Sequence, residues 1–244
     1  MKALKLLIAA ATLAVSVSTT QAAVYSQNVV GYVNISIPAG KYQMVANQLD
    51  TGSNYLNNIF PTGVSGVTSL LKFSSGAFVQ YVWQSSDDSN DGLAGWHDTV
   101  GAGNLSTNVL LNPGEGCFIH NSDVNPLNLT TLGSVVSGTN VSSIPTGYSM
   151  HSYTAPIGGQ TLDTQGYVGS SGNDSILRFN GTSYVQIVYQ SSDDSNDGLA
   201  GWHDTTGAGN LATNANSWPA AGESFFISHS GSGITWTNVF NLPQ

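Results

Sequence analysis

The sequence predicts an all-β protein made of two tandem homologous units, each of six or seven short strands arranged as a barrel or a sandwich. Three observations carry this expectation. The chain repeats itself once at an offset of about 106 residues, its apolar residues alternate with a period of two, and no helix-period stretch of ten or more residues follows the first twenty-two.

The repeat is visible from end to end. Ile37-Pro38-Ala39-Gly40 returns as Ile144-Pro145-Thr146-Gly147, and Leu70-Leu71-Lys72-Phe73 returns as Ile176-Leu177-Arg178-Phe179. Gln84 to Thr99 returns unchanged as Gln190 to Thr205, and Pro113-Gly114-Glu115-Gly116 has a looser echo in Ala221-Gly222-Glu223-Ser224. The join falls near residues 134–140, which sets the first unit at 23–135 and the second at 136–244.

Within a unit the strands can be read directly. Val29 to Ile37 is rich in β-branched residues and must stop at Pro38, which has no amide hydrogen for a ladder. Phe78 to Gln84 alternates, placing Val79, Tyr81 and Trp83 on one face and Phe78, Gln80, Val82 and Gln84 on the other. The second copy has Ile187 where the first has Tyr81, which marks that face as buried. Asn180-Gly181, between Phe179 and Tyr184, signals a hairpin, and Ser74-Ser75-Gly76 accepts the same turn.

Residues 1–22 read as a secretion signal: Lys2 and Lys5, an apolar stretch from Leu6 to Val17, then Thr20-Gln21-Ala22 as the cleavage site. The stretch is too short to span a bilayer, and nothing later approaches the length needed, so the mature chain is expected to have no membrane span and to be secreted or held at the cell surface. Beyond residue 22 the basic residues are Lys41, Lys72 and Arg178 against fourteen Asp and Glu, a net charge of −11. Phosphate backbones and anionic lipids would repel such a chain, which argues against nucleic acid as a partner.

The chemistry-bearing residues form no recognised catalytic motif: there is no Gly-x-Ser-x-Gly, no His-Glu-x-x-His and no Cys-x-x-Cys. Cys117 takes the place of Phe225 and reads as a buried apolar residue. His97 and His203 match between copies, whereas His120, His151 and His229 do not and read as surface residues. Glu115 and Glu223 read as turn residues. Lys72 and Arg178, the matched cations, are expected beside the acidic loops, because other counter-charges are scarce.

The unit also resembles one that recurs in exported proteins of environmental bacteria. The likeness rests on Val30-Gly31-Tyr32-Val33-Asn34, Ile37-Pro38-Ala39-Gly40, Gly95-Trp96 with Gly201-Trp202, and Leu111 to Phe118 with its Pro-Gly-Glu-Gly turn. That family has no assigned activity, so the resemblance implies an exported β-protein and no catalytic residue. The stretch Ser85 to Asn90 is longer than is usual for the unit.

One segment stands apart. Between 84–108 and 190–214, 23 of 25 residues match, while in the preceding fifteen just six do. Loops usually drift faster than the elements they join, so either this loop is held by a job or recombination copied it. Its acidic residues follow the spacing of an EF-hand calcium loop: Asp87, Ser89, Asp91, Leu93 through its carbonyl, and Asp98, repeated as Asp193, Ser195, Asp197, Leu199 and Asp204. A structural calcium ion in each loop is therefore one expectation. The functional expectation is a non-enzymatic exported protein acting by binding an extracellular or cell-surface partner, or by self-assembly. The alternative is a carbohydrate-binding or carbohydrate-active protein that uses Trp96 and Trp202 as stacking platforms.

Overall fold

The computed structural model describes residues 29–100, 103–205 and 209–242. The stretch expected to be a secretion signal, 1–22, and residues 23–28 at the start of the first unit lie outside the described residues. The first unit contains β1 (Val30–Ile37), β2 (Lys41–Ala46), α1 (Leu56–Ile59), β3 (Thr68–Ser74), β4 (Ala77–Gln84), β5 (Gly95–Asp98), β6 (Gly116–Asn121) and β7 (Leu127–Ser134). The second contains β8 (Gly138–Ile144), β9 (Gly147–His151), β10 (Asp174–Phe179), β11 (Tyr184–Gln190), β12 (Gly201–Asp204), β13 (Phe225–His229) and β14 (Ile234–Phe240), with single 3-10 turns at Asp163–Gln165 and Ala215–Ser217. The chain is all-β, in two similar units of seven strands each among the described residues.

Each unit is two-layered. A five-stranded antiparallel sheet, ordered β2-β6-β3-β4-β5 in the first unit and β9-β13-β10-β11-β12 in the second, is covered by a two-stranded ribbon, β1-β7 or β8-β14. The sheets stay open, so of the two expected arrangements the barrel does not form. Closure would need the edge strands to meet, and β5 and β12 are only four residues long, their outer edges taken by bridges from His97 to Leu105 and from His203 to Leu211.

Alternation explains the layers. Along β1, Val33, Ile35 and Ile37 turn inward and their neighbours outward. Opposite them, Val45, Leu70, Tyr81, Trp96, Cys117 and Ile119 close the first core. Each fully buried aliphatic side chain contributes about 1.5–3 kcal/mol relative to exposure. In the second unit Ile187 occupies the Tyr81 position and Phe225 the Cys117 position, both buried. Burial pushes the Cys117 thiol well above its usual range, so it acts as a small apolar residue. The β3–β4 hairpin turns through Ser75 and Gly76, both at positive φ (52° and 83°), a combination that matches the twist of the strands.

A third core joins the units. Met44, Leu71, Phe73 and Phe118 of the first pack against Met150, Leu177, Phe179 and Phe226 of the second. These are the same four positions of the repeat, so the two sheets meet through equivalent faces, as in a twofold dimer fused into one chain. Backbone hydrogen bonds are exchanged in the same reciprocal way: Ser152 N donates to Gly114 O (2.7 Å), and Ala46 N donates to Gly222 O (2.9 Å). At the crossing point Gly116 faces its own counterpart. A Cβ on Gly116 would lie 2.2 Å from Ser224 Cβ.

Gly116→Ala is therefore expected to destabilise the protein by about 1–3 kcal/mol through overpacking. Adding Ser224→Gly is expected to restore much of the loss. Urea denaturation of the parent and both variants measures this, and an unchanged midpoint for Gly116→Ala would contradict the close crossing.

Candidate functional site

The duplicated loop leaves β4, crosses the sheet edge and returns as β5. Asp91 is its centre. Its Oδ1 accepts the Leu93 amide (3.1 Å) and lies 3.2 Å from His97 Nε2, while its Oδ2 accepts the Leu105 amide (2.8 Å). Asp197 repeats each contact with Leu199, His203 and Leu211 at 3.0, 3.1 and 3.0 Å. The amide of Leu105, and in the second unit of Leu211, holds each carboxyl down at about 2, assisted by the second amide and the histidine. His97 and His203 are buried, with Nδ1 donating to the carbonyl of Gly95 or Gly201. Asp88 accepts the Ser65 and Ser85 hydroxyls, and Asp194 those of Ser191 and Ser171; these bonds lower both carboxyls.

The strand end is equally constrained. Trp96 is 0% exposed, its ring Nε1 donating to Phe60 O (2.8 Å) and its amide to Asn57 Oδ1 (2.8 Å). Gly95 adopts φ +145°, and a Cβ there would meet Asn57 Oδ1 at 2.5 Å. Trp202 is 2% exposed. Neither ring presents a face to solvent, so the expected stacking platform at Trp96 and Trp202 is not formed: both rings anchor the loop in the core.

The calcium spacing maps onto the loop as follows. Asp91 and Asp197 each accept two loop amides, one on each oxygen, and lie against a histidine ring nitrogen. Asp87 and Asp193 are exposed, Asp98 accepts the Val100 amide (2.9 Å), and Ser89 and Ser195 turn to the carbonyls of Ser86 and Ser192. Leu93 and Leu199 donate their amides to the central carboxylates. Among the described residues no group of three or more His, Cys, Asp or Glu is gathered for a metal. An ion at Asp91 would have to displace contacts that already rigidify the loop.

The matched cations lie elsewhere than expected. Lys72 Nζ is 3.6 Å from Glu115, and Arg178 holds Glu223 in a fork with contacts of 2.8–3.1 Å. Each glutamate also accepts a turn amide, from Asn112 or Ala220. The partners are the turn glutamates, not the loop aspartates, because each cation sits on the strand beside that turn. The signal was present in the sequence, since a matched cation accompanies a matched anion.

Two unmatched histidines are buried rather than on the surface. His151 packs at the unit junction, where burial lowers its pKa to about 4. His229 pairs with the buried Asp174 (2.6 Å), which also accepts the Tyr167 hydroxyl. Burial disfavours a charged His229, but its bonds to Asp174 and the Ser232 carbonyl outweigh this and raise its pKa. The first unit has Thr68 and Asn121 at these positions, so this pair left no mark in the repeat. His120 is half-buried and stacks on Tyr42 with ring centroids 4.0 Å apart.

The outer end of the junction is open. Tyr42, Leu71, Phe78 and Phe118 of the first unit and Phe179 and Tyr184 of the second line an apolar cleft of about 230 Å³. Phe78 and Tyr184, equivalent in the repeat, remain 45% and 48% exposed. Edge-to-face contacts at 5–6.5 Å link these rings to Phe73 and Phe226.

Comparison of the chain with protein-family models, curated proteins and solved structures finds no match in any of the three.

Acid stability follows from the two loop carboxyls. In the folded chain they titrate at about 2, against 3.8 ordinarily. Their contribution is complete above about pH 4 and is lost as the pH falls through about 2. The parent's melting temperature is expected to fall more steeply over that window than that of Asp91→Asn/Asp197→Asn; parallel curves would contradict this. For the ion pairs, Arg178→Met is expected to destabilise by roughly 1–3 kcal/mol, because it strands a largely buried glutamate, and Lys72→Met by less than about 1 kcal/mol. Denaturation midpoints decide whether that order holds.

Proposed function

We propose that this chain is a non-enzymatic binding protein that works outside the cytoplasm, and that its recognition surface is the aromatic cleft where the two units meet. The observation that carries the reading is the exposure of Phe78 and Tyr184 over an apolar cleft built by both units. Contiguous exposed aromatic surface is unfavourable in water unless a partner covers it, and such patches mark interaction sites. The groups that could do acid–base or ionic chemistry support the same reading, because they are engaged within the fold: Asp91 with His97, Asp197 with His203, Glu115 with Lys72, Glu223 with Arg178, and Asp174 with His229.

Export rests on the leader at residues 1–22. The acidic, Ser-, Thr- and Asn-rich composition suits a solvated extracellular protein, and no helix among the described residues is long and apolar enough to cross a membrane.

The test pairs function with folding. Retention on isolated cell envelopes and self-association by sedimentation velocity are measured for the parent and for Phe78→Ser/Tyr184→Ser. The parent is expected to show at least one of the two. The variant is expected to keep the melting temperature and to weaken the interaction roughly tenfold or more. A parent that stays monomeric and unretained, or a variant that binds equally well, overturns the proposal.

A further inference from the structure

The sheet face that carries the aromatic cleft does not end there. Along β11 the outward positions after Tyr184 are Gln186, Val188 and Gln190, and the neighbouring strands add Ser175 and Ser228. Together with Asp194 at the rim, these residues line an open groove of about 580 Å³ on the second unit. From Tyr184 to Gln190 the strand runs about 20 Å, long enough for an extended chain ligand.

Three features define what the groove would hold. First, its walls offer both donors and acceptors. Among the described residues the side-chain amides of Gln186 and Gln190 and the hydroxyls of Ser175 and Ser228 make no hydrogen bond within the protein, so they are available to a ligand with many hydroxyls. Second, no Lys or Arg lines it, and its two carboxylates are already engaged: Asp194 at the rim with Ser171 and Ser191, and the buried Asp174 with Tyr167, the Ser170 amide and His229. An anionic ligand would find no counter-charge in a chain that is acidic throughout. Third, the polar row continues into exposed rings. Sugar rings present exactly this pairing in reverse, with apolar C–H faces for aromatic rings and hydroxyl edges for amides.

The strand positions are duplicated in part. Gln80, Val82 and Gln84 occupy the same outward positions on the first unit, with Asp88 bonded to Ser65 and Ser85 at the rim, while Ser69 is buried and His120, stacked on Tyr42, stands where the second unit has Ser228. On the opposite face of the same hairpin Tyr81 has become Ile187, and Trp83 has become Tyr189.

We propose that this groove, together with the matching strand face of the first unit, binds neutral polysaccharide, with the amides of Gln186 and Gln190, and of Gln80 and Gln84, reading the hydroxyls while Tyr184 and Phe78 stack on sugar faces. This deepens the binding-protein reading and rests on it, and it moves carbohydrate recognition from Trp96 and Trp202 to the outer sheet face.

Affinity gel electrophoresis tests it with dextran, mannan and xyloglucan as neutral probes and alginate and pectate as anionic ones. The parent is expected to be retarded by at least one neutral polymer and by neither anionic one. Gln80→Ala/Gln84→Ala/Gln186→Ala/Gln190→Ala, whose folding is checked by its melting temperature, is expected to bind that polymer roughly tenfold more weakly. Retardation by the anionic polymers alone, no retardation by any neutral polymer, or full binding by the folded glutamine variant overturns the inference. Envelope retention or self-association that is lost in Phe78→Ser/Tyr184→Ser while no neutral polymer binds would leave the binding-protein reading standing without the sugar. Loss of polymer binding in the glutamine variant alone would keep the groove and remove the cleft.

Discussion

The structure depends on one contact, the crossing of β6 and β13 where Gly116 meets Ser224. Because the two sheets meet through equivalent faces, contacts across the crossing are reciprocal, Phe73 meeting Phe226 as Phe179 meets Phe118, and Gly116 facing its own counterpart holds the closest approach. Glycine opposite serine lets the backbones approach closely enough for Met44, Phe118, Met150 and Phe226 to pack into a shared core. A larger side chain at either position would push that core apart and break the reciprocal bonds from Gly114 and Gly222. The same approach brings Phe78 and Tyr184 onto the shared rings of Phe118 and Phe226 at the outer end, so the cleft is a consequence of the crossing.

The duplicated loops have a different logic. A long, Gly- and Asp-rich connection has few apolar anchors, and the entropy of ordering it must be offset locally. Here the offset is a carboxylate knot. Asp91 gathers two amides and a buried histidine from positions two, six and fourteen residues away, while Trp96 nails the adjacent strand into the core. Asp91, Gly95, Trp96 and His97, and their counterparts Asp197, Gly201, Trp202 and His203, are the loop residues whose side chain or backbone conformation these contacts require. The loop frames the sheet edge, and the sheet face is left outside it.

Scarcity of charge gives that face its character. With three basic residues beyond residue 22, two of them committed to turn glutamates, that face is built largely from amides, hydroxyls and aromatic rings. On the proposed binding reading, such a surface would discriminate by hydrogen-bond geometry and shape more than by Coulomb attraction, with little effect of salt.

By itself the sequence determined the strands, their inward faces and the doubling. Alternation of period two, Pro38 and Pro145 as strand ends, and the offset of 106 are local properties that survive in one dimension. The burial of Cys117 and of the Tyr81/Ile187 position was legible for the same reason, since two copies of one position show what that position tolerates, whereas Val79 on the same face stays exposed at the strand's outer end. Only the tertiary structure decided which loop carboxylates would face protein donors, that Lys72 and Arg178 would reach the turn glutamates, that His229 would be buried against Asp174, and that Trp96 and Trp202 would turn inward. These outcomes hinge on which strand edge lies beside which loop, and sheet order is not encoded in spacing along the chain. The cleft was least legible of all: its residues come from two units some hundred positions apart, and what unites them is a symmetry that exists only once both units have folded and met.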